Sequence, residues 1–221
     1  MEEKTIDLQG LSPRQANKAI RALSGKNKRL RIVNPRSINF LAAGLSGDVE
    51  ITVDGDLGYY AGSMVHGVKM TVNGRCGWYP ADNMTGGEFV ITKDGGDGAG
   101  QGMYGGVLYI RGNTNSRTGQ IMKDGTIIVG GDAGFMTGLY QMGGRIVVLG
   151  NLGACAGESI IGGKIFFGGE VESTGKNASI SAVDAGEVKE LEELFGRFKI
   201  TADPTRFKKI TPARDRPFYG D

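Results

Sequence analysis

Apolar and polar residues alternate in short runs along the middle of this 221-residue chain. The run 125–129 places Ile127 and Val129 at alternate positions, and the run 144–148 repeats this with Ile146 and Val148. Such alternation directs one face of a β-strand to a core and the other to solvent or a partner. Four more runs share the pattern: Ile51 and Val53, Met70 and Val72, Leu108 and Ile110, Ile165 and Phe167. We therefore predict strands whose inner residues stack into apolar ladders.

A glycine opens each of these runs, and the intervals between the opening glycines are nearly constant. The opening glycines are Gly47, Gly67, Gly87, Gly106, Gly125, Gly144 and Gly163, at spacings of 20, 20, 19, 19, 19 and 19 residues. A steady period of this length is typical of a solenoid, in which each repeat is one coil. We predict an all-β chain that forms a right-handed single-stranded parallel β-helix of about seven 19–20-residue coils, with two or three short strands per coil.

A second glycine pattern, G-x-x-G-x-x-x-G, follows the strands and is called the glycine grid below. Since glycine adopts positive φ and allows backbones to approach closely, the grid predicts the tight corners of the coils. In one coil Asn115 replaces the middle glycine, and asparagine also tolerates the left-handed conformation. The complete grids are Gly55-Gly58-Gly62, Gly95-Gly98-Gly102, Gly131-Gly134-Gly138 and Gly150-Gly153-Gly157. A further internal ladder is predicted from the methionines three residues before an opening glycine: Met64, Met84, Met103 and Met122.

Both ends of the chain depart from the repeat. Ser12 and Gln15 have the spacing of a capping box, which predicts a helix over 12–24, and Asp184 with Glu187 predicts a second. These helices can cap or flank the solenoid. We divide the chain into an N-terminal capping segment (1–43), the parallel β-helix (44–180), a C-terminal helix (181–198) and a basic extended tail (199–221). Outward-facing strand residues such as Lys69, Tyr109 and Arg145 would form flat faces.

Composition limits the partners and the compartment. The formal net charge is only +2, too small to predict nucleic-acid binding. No apolar run approaches the ~18 residues of a membrane span, and Met1 to Lys4 begin no secretory signal. Cys76 and Cys155 lie about four coils apart, beyond disulfide reach. Reduced thiols indicate the cytoplasm.

Residue types that carry chemistry are scarce. His66 is the single histidine, and with two distant cysteines it cannot complete the usual zinc or iron–sulfur ligand sets. The string 100–105 matches G-x-G-x-x-G but lies within the repeat, where it leads to a strand. Aspartates near strand ends permit either general acid–base chemistry or a turn role: Asp54, Asp56, Asp94, Asp97, Asp124 and Asp132. We expect no catalytic, cofactor-binding or metal-binding residue in this chain.

The repeat resembles one family. The stacked grids, the Gly-Gly pairs that include Gly86-Gly87 and Gly143-Gly144, and the segment 98–106 are similar to the C-terminal glycine-repeat (GXGXG) domain of the glutamate synthase large subunit. The resemblance covers about residues 44–175, and the helix opened by Ser12 resembles free-standing versions of that domain. The glycine-repeat subunit of formylmethanofuran dehydrogenase and a subunit of N-methylglutamate synthase belong to the same superfamily.

This resemblance implies a non-catalytic scaffold subunit of a split glutamate synthase. Its partners would be a glutaminase-type amidotransferase subunit and an FMN-dependent synthase subunit. The scaffold would hold them in register, so that ammonia passes between them as glutamate forms from glutamine and 2-oxoglutarate. FMN and the iron–sulfur cluster are expected in the synthase partner, with no cofactor in this chain.

Two other functions stay open. The chain could be the glycine-repeat subunit of formylmethanofuran dehydrogenase or the equivalent N-methylglutamate synthase subunit. Alternatively, it could be an independent β-helix enzyme that acts on carbohydrate.

Overall fold

Each short β-branched run forms one strand of a single continuous sheet. The computed structural model describes residues 3–214. Its strands are β1 (Lys4–Asp7), β2 (Arg29–Val33), β3 (Glu50–Asp54), β4 (Val68–Val72), β5 (Gly87–Ile91), β6 (Tyr104–Ile110), β7 (Asp124–Val129), β8 (Arg145–Val148), β9 (Lys164–Phe167), β10 (Ala178–Ala182) and β11 (Lys208–Pro212). The helices are α1 (Pro13–Ser24) and α2 (Ala185–Phe198), with a short 3₁₀ turn at Pro204–Arg206.

Strands β1 to β9 pair in parallel in chain order, and the inner residues form the predicted ladders. Ile127 pairs with Ile146, which pairs with Ile165, and all three are fully buried. Because each strand lies one chain period after its neighbour, the chain advances by one coil per strand. The predicted parallel β-helix of about seven coils is thereby confirmed.

Only one segment of each coil is an extended strand, whereas two or three were predicted. A second contact between coils is a row of isolated bridges, in which one residue of each coil pairs with one residue of the next. The row runs through Leu57, Cys76, Gly95, Thr114, Ala133, Leu152 and Val171. The segments between this row and the next strand form the third side of the solenoid, called the turn arc below. It comprises residues 35–46, 58–66, 77–86, 96–103, 115–123, 134–143 and 153–162.

At the N-terminal end the sheet begins earlier than the predicted boundary at residue 44. Strand β2 pairs with β3 and β1 pairs with β2, both in parallel. The reason is that Leu30 and Ile32 continue the buried inner slots, although no opening glycine precedes them. Helix α1 connects β1 to β2 and buries Ala16 and Ile20 against the first coil.

Helix α1 has the predicted caps. The Ser12 side chain accepts from the backbone N–H of Gln15, and the Gln15 side chain accepts from the backbone N–H of Ser12. Gly25 follows the helix in a right-handed conformation.

At the C-terminal end, the chain folds back onto the solenoid. Helix α2 lies on the outer face of the sheet, where Leu191 and Phe195 belong to one buried cluster with Tyr109 and Phe166. The segment predicted as an extended tail contains β11, which pairs antiparallel with β9 and so covers the last parallel edge. Residues 215–221 of that tail lie outside the described residues. An unpaired edge would be a template for other chains.

Neither helix is long and apolar enough to cross a membrane, within the part of the chain that the structure describes.

Candidate interaction surface

The glycine grid occupies positions with different physical demands. At the third position, Gly62, Gly138 and Gly157 have φ between 65° and 74°. A Cβ on Gly62 would lie 2.7 Å from the ring of Phe89, so this position needs both positive φ and space. At the middle position, Gly134 and Gly153 are outside the left-handed region, and a Cβ on Gly153 would lie 2.8 Å from the backbone of Gly134 in the preceding coil.

Glycine at the middle position therefore serves close approach between coils and not a positive φ. The prediction that Asn115 occupies this position because it tolerates the left-handed conformation is wrong. That asparagine is not left-handed in the structure. The first grid position also abuts the preceding coil: Gly55 approaches Pro35, Gly131 approaches Asn113, and Gly150 approaches Gly131, while Gly58 abuts Asn39. These glycines are elements of coil stacking.

One of the four grids is out of register with the others. Gly95 bridges Cys76 and Thr114, so it lies in the bridge row rather than at a grid corner. In that coil the grid places are taken by Lys93, Gly96 and Gly100, two residues before Gly95, Gly98 and Gly102. Because the segment 95–106 contains additional glycines, the pattern G-x-x-G-x-x-x-G also occurs there two residues after the structural grid positions.

The methionine ladder is correct at three of its four members. Met84, Met103 and Met122 are fully buried, but Met64 is exposed and Val65 takes the inner place. Strands β4 and β5 pair at an offset of 19 residues, with Gly87 opposite Val68 and not Gly67, so counting back from Gly67 misses the register by one.

The aspartates stack the coils. Along one corner, each Asp or Asn side chain accepts a hydrogen bond from a backbone N–H in the following coil. Asp94 accepts from Asn113, Asn113 from Asp132, Asp132 from Asn151 and Asn151 from Glu170, at 2.7–3.0 Å. Asp56 accepts from Arg75 and Asp97 from Ser116 in the same way, while Asp124 accepts from Gly125.

Asp54 is held by side chains. A hydrogen bond from Asn73 lowers the pKa of its carboxyl, and Arg31 adds to this effect against the opposing effect of burial. A general acid at neutral pH needs a raised pKa. The backbone N–H bonds accepted by the other five aspartates favour the turn role for them.

The remaining reactive side chains stand apart from one another. The Nδ1 atom of His66 lies 3.1 Å from the hydroxyl of Thr85. Burial raises the pKa of the Cys76 thiol, and both Cys76 and Cys155 are free. Among residues 3–214, no three His, Cys, Asp or Glu side chains are close enough to hold a metal ion.

Parts of the outer face of the sheet are paired in charge or covered. Near the N-terminal end, Arg29 pairs with Glu50 at 2.9 Å and Arg31 with Asp54 at 2.7 Å, across neighbouring strands. Toward the C-terminal end, α2 covers the sheet, so Tyr109 is buried rather than available to a partner. Of the residues predicted to form a flat outer face, Tyr109 is therefore covered, whereas Lys69 is exposed.

The turn arc is different in character. Seven of the nine large hydrophobic side chains that the described residues expose lie in it: Phe40, Tyr59, Met64, Trp78, Phe135, Tyr140 and Met142. Its charged residues are only Arg36, Asp82, Asp97, Arg117, Lys123 and Glu158. Exposed apolar area concentrated on one face is characteristic of a surface that binds other molecules. No single residue predicts this surface from the sequence. The recurrence of aromatic residues one coil apart, such as Tyr59 and Trp78, is the sequence pattern that indicates it.

Comparisons with known proteins agree with this architecture. The GXGXG motif family matches residues 30–200. A comparison with curated proteins gives no match. A chain in the crystal structure of the formyltransferase/hydrolase complex (FhcABCD) from Methylorubrum extorquens in complex with methylofuran has a TM-score of 0.70. It is 24% identical, and the alignment covers 89% of this chain and 84% of that chain.

At that level of identity the structural neighbour shows a shared fold. The family match includes every coil from β2 to β9 and extends through α2. The resemblance to the GXGXG domain is therefore confirmed, and the chain belongs to the GXGXG motif family.

Proposed function

We propose that this chain is a non-catalytic structural subunit of a multi-subunit enzyme complex that acts on formyl groups, as the glycine-repeat subunit of formylmethanofuran dehydrogenase would be. The observation that carries the proposal is that the alignment with the structural neighbour covers most of both chains. With 84% of that chain covered, the neighbour is itself mostly this solenoid, yet it occurs in a formyltransferase/hydrolase complex. A chain of the same build suits the same kind of role.

The physical properties of the solenoid support a scaffold. Each strand from β2 to β8 is hydrogen-bonded to one coil before it and one after it, so the axis is stiff. The aspartate and asparagine side chains at one corner add a further hydrogen bond between coils. A rigid body of this length can fix the distance between two catalytic chains, which is what transfer of a reactive group between active sites requires.

A split glutamate synthase is the second candidate. It is favoured by the segment 98–106, whose glycine pattern resembles the GXGXG domain of that enzyme. In this case the partners would be a glutaminase-type amidotransferase and an FMN-dependent synthase with an iron–sulfur cluster. The isolated chain would bind neither cofactor.

Purification of a tagged copy from its own cells, with mass spectrometry of the co-purifying chains, tests the proposal. We expect stoichiometric enzyme chains, with molybdenum or tungsten and turnover of a formyl substrate in the purified complex. A glutaminase-like chain together with an FMN protein would instead establish the glutamate synthase candidate. Recovery of the chain alone, with turnover of its own, would contradict both candidates.

A further inference from the structure

Five aromatic side chains form two stacked columns on three consecutive coils of the turn arc. Phe40, Tyr60 and Tyr79 stack with ring centroids 5.3 and 5.0 Å apart, and Tyr59 stacks on Trp78 at 4.9 Å. We call these five residues the aromatic patch. Phe40, Tyr59 and Trp78 remain 48%, 43% and 48% exposed despite the stacking. Stacking between coils therefore leaves about half of each of these three side chains accessible.

The orientation of the rings limits what can bind. Stacked neighbours are nearly parallel, with angles of 2°, 8° and 19° between ring planes, so each ring has a face against another ring and Tyr60 has both. Within residues 3–214, the hydroxyls of Tyr59, Tyr60 and Tyr79 make no hydrogen bond. The patch thus offers apolar ring surface and hydroxyl groups.

Charge narrows the choice of partner further. Between Ser37 and Arg75, the turn-arc residues carry no charged side chain, and in the next coil Asp82 is buried beside Asn83 and Gln101. Anionic lipid surfaces and nucleic acids are bound mainly through clusters of Lys and Arg. An uncharged patch is complementary to an uncharged surface, because a charge buried against it would lose hydration without gaining a partner.

We infer that the aromatic patch is the docking surface for a partner protein with an uncharged, apolar contact surface and hydrogen-bond acceptors at its edge. This inference rests on the proposed function, because it assigns the site at which the scaffold holds one of its enzyme chains. Tyr and Trp are enriched among the residues that dominate binding energy in protein interfaces. Three half-exposed rings present on the order of 300 Å². That is a substantial part of the ~800 Å² per partner in a standard interface, so the patch would form its centre.

Site-specific photocrosslinking in the assembled complex tests the inference. A benzoylphenylalanine at position 59 or 78 preserves an aromatic ring, and one at Thr71 on the outer sheet face serves as the control. We expect crosslinks to one co-purifying enzyme chain from positions 59 and 78 and none from position 71. Crosslinks between two copies of this chain, or to the enzyme chain from position 71 alone, would overturn the inference.

A charge-insertion pair gives an independent result. Trp78→Arg places a cation in the patch, and Ile180→Arg places one at an exposed hydrophobic residue outside the turn arc. We expect the first variant to bind the enzyme chain at least about tenfold more weakly and the second to bind as wild type, with folding of both verified by circular dichroism. Equal binding by both variants would overturn the inference. If the wild-type chain has no enzyme partner at all, it is the proposed function that fails.

Discussion

Left-handed backbone conformations recur at three alternate positions in each turn of the arc. In one coil these are Tyr60, Gly62 and Met64, and the next coil has Tyr79, Ala81 and Asn83. The outer two positions accept large side chains such as Tyr60, Met64 and Tyr140, which are partly or well exposed. The central position faces the core, where only Gly or Ala is found: Ala42, Gly62, Ala81, Gly100, Gly119, Gly138 and Gly157. Side-chain direction, as well as φ, thus determines where glycine is needed.

Two glycines of the sequence-defined grid should respond oppositely to alanine. Gly138 has φ of 74° and little room beside Ile165, so Gly138→Ala should destabilise the fold by about 2–4 kcal/mol. Gly95 is not left-handed, and a Cβ there would make an ordinary 3.4 Å contact with Ile110. Gly95→Ala should therefore be neutral or stabilise by up to about 1 kcal/mol. Denaturant unfolding measures both, and equal losses would contradict this account of the grid.

Two buried threonines one coil apart provide a second matched pair. Thr118 and Thr137 are both fully buried, but the hydroxyl of Thr118 lacks a hydrogen-bond partner within residues 3–214. The hydroxyl of Thr137 donates to the carbonyl of Gly134 at 3.0 Å. Thr118→Val should raise the free energy of unfolding by about 1 kcal/mol, and Thr137→Val should lower it by a similar amount. Denaturant unfolding of both variants checks this, and the same sign for both would refute the explanation.

At the scale of elements, helix α2 is fastened to the sheet by one buried carboxylate. Glu187 accepts from Lys164 of β9 at 2.7 Å and from Lys209 of β11 at 2.6 Å, while it also caps its own helix through the N–H of Asp184. Burial alone would raise the pKa of Glu187. The two ammonium groups and the N–H of Asp184 outweigh burial and lower the pKa to about 2.

This lowered pKa predicts a dependence of stability on pH. Because the folded pKa is below the ordinary value of 4.5, the stabilisation is complete above pH 4.5 and is lost as the pH falls toward 2. At neutral pH, Glu187→Gln should reduce the free energy of unfolding by on the order of 2–3 kcal/mol. The difference from wild type should shrink below pH 4.5. Glu192→Gln, at an exposed position of α2, is the control. A deficit independent of pH would contradict the assignment.

The elements differ in how far the sequence could predict them. Alternation and capping boxes are local signals, so the strands from β3 to β9 and the helix caps at Ser12 and Asp184 were predictable. The antiparallel pairing of β11 with β9 was not, because it joins residues about 40 positions apart without the repeat. The opening glycine Gly67 likewise lies one residue out of register with Gly87, so counting back from it assigned Met64 to the core in place of Val65. Among candidate sites, the aromatic patch was missed, because the stack of Tyr59 on Trp78 joins residues of different coils.

The whole molecule presents three unlike sides. One carries the sheet, with paired charges at one end and α2 at the other. The second is a corner of hydrogen-bonded Asp and Asn side chains. The third, the turn arc, contains most of the exposed large hydrophobic side chains. A chain whose exposed large hydrophobic side chains lie mostly on one side suits a rigid subunit with partners on that side.

Native mass spectrometry of the chain purified from its own cells tests the central claim, that this solenoid is a structural subunit, most directly. The account predicts a defined assembly in which the 23.4 kDa chain is bound to at least one enzyme chain at fixed stoichiometry. Dissociation of that assembly should leave this chain without turnover. A 23.4 kDa species that is alone and catalytically active would contradict the claim.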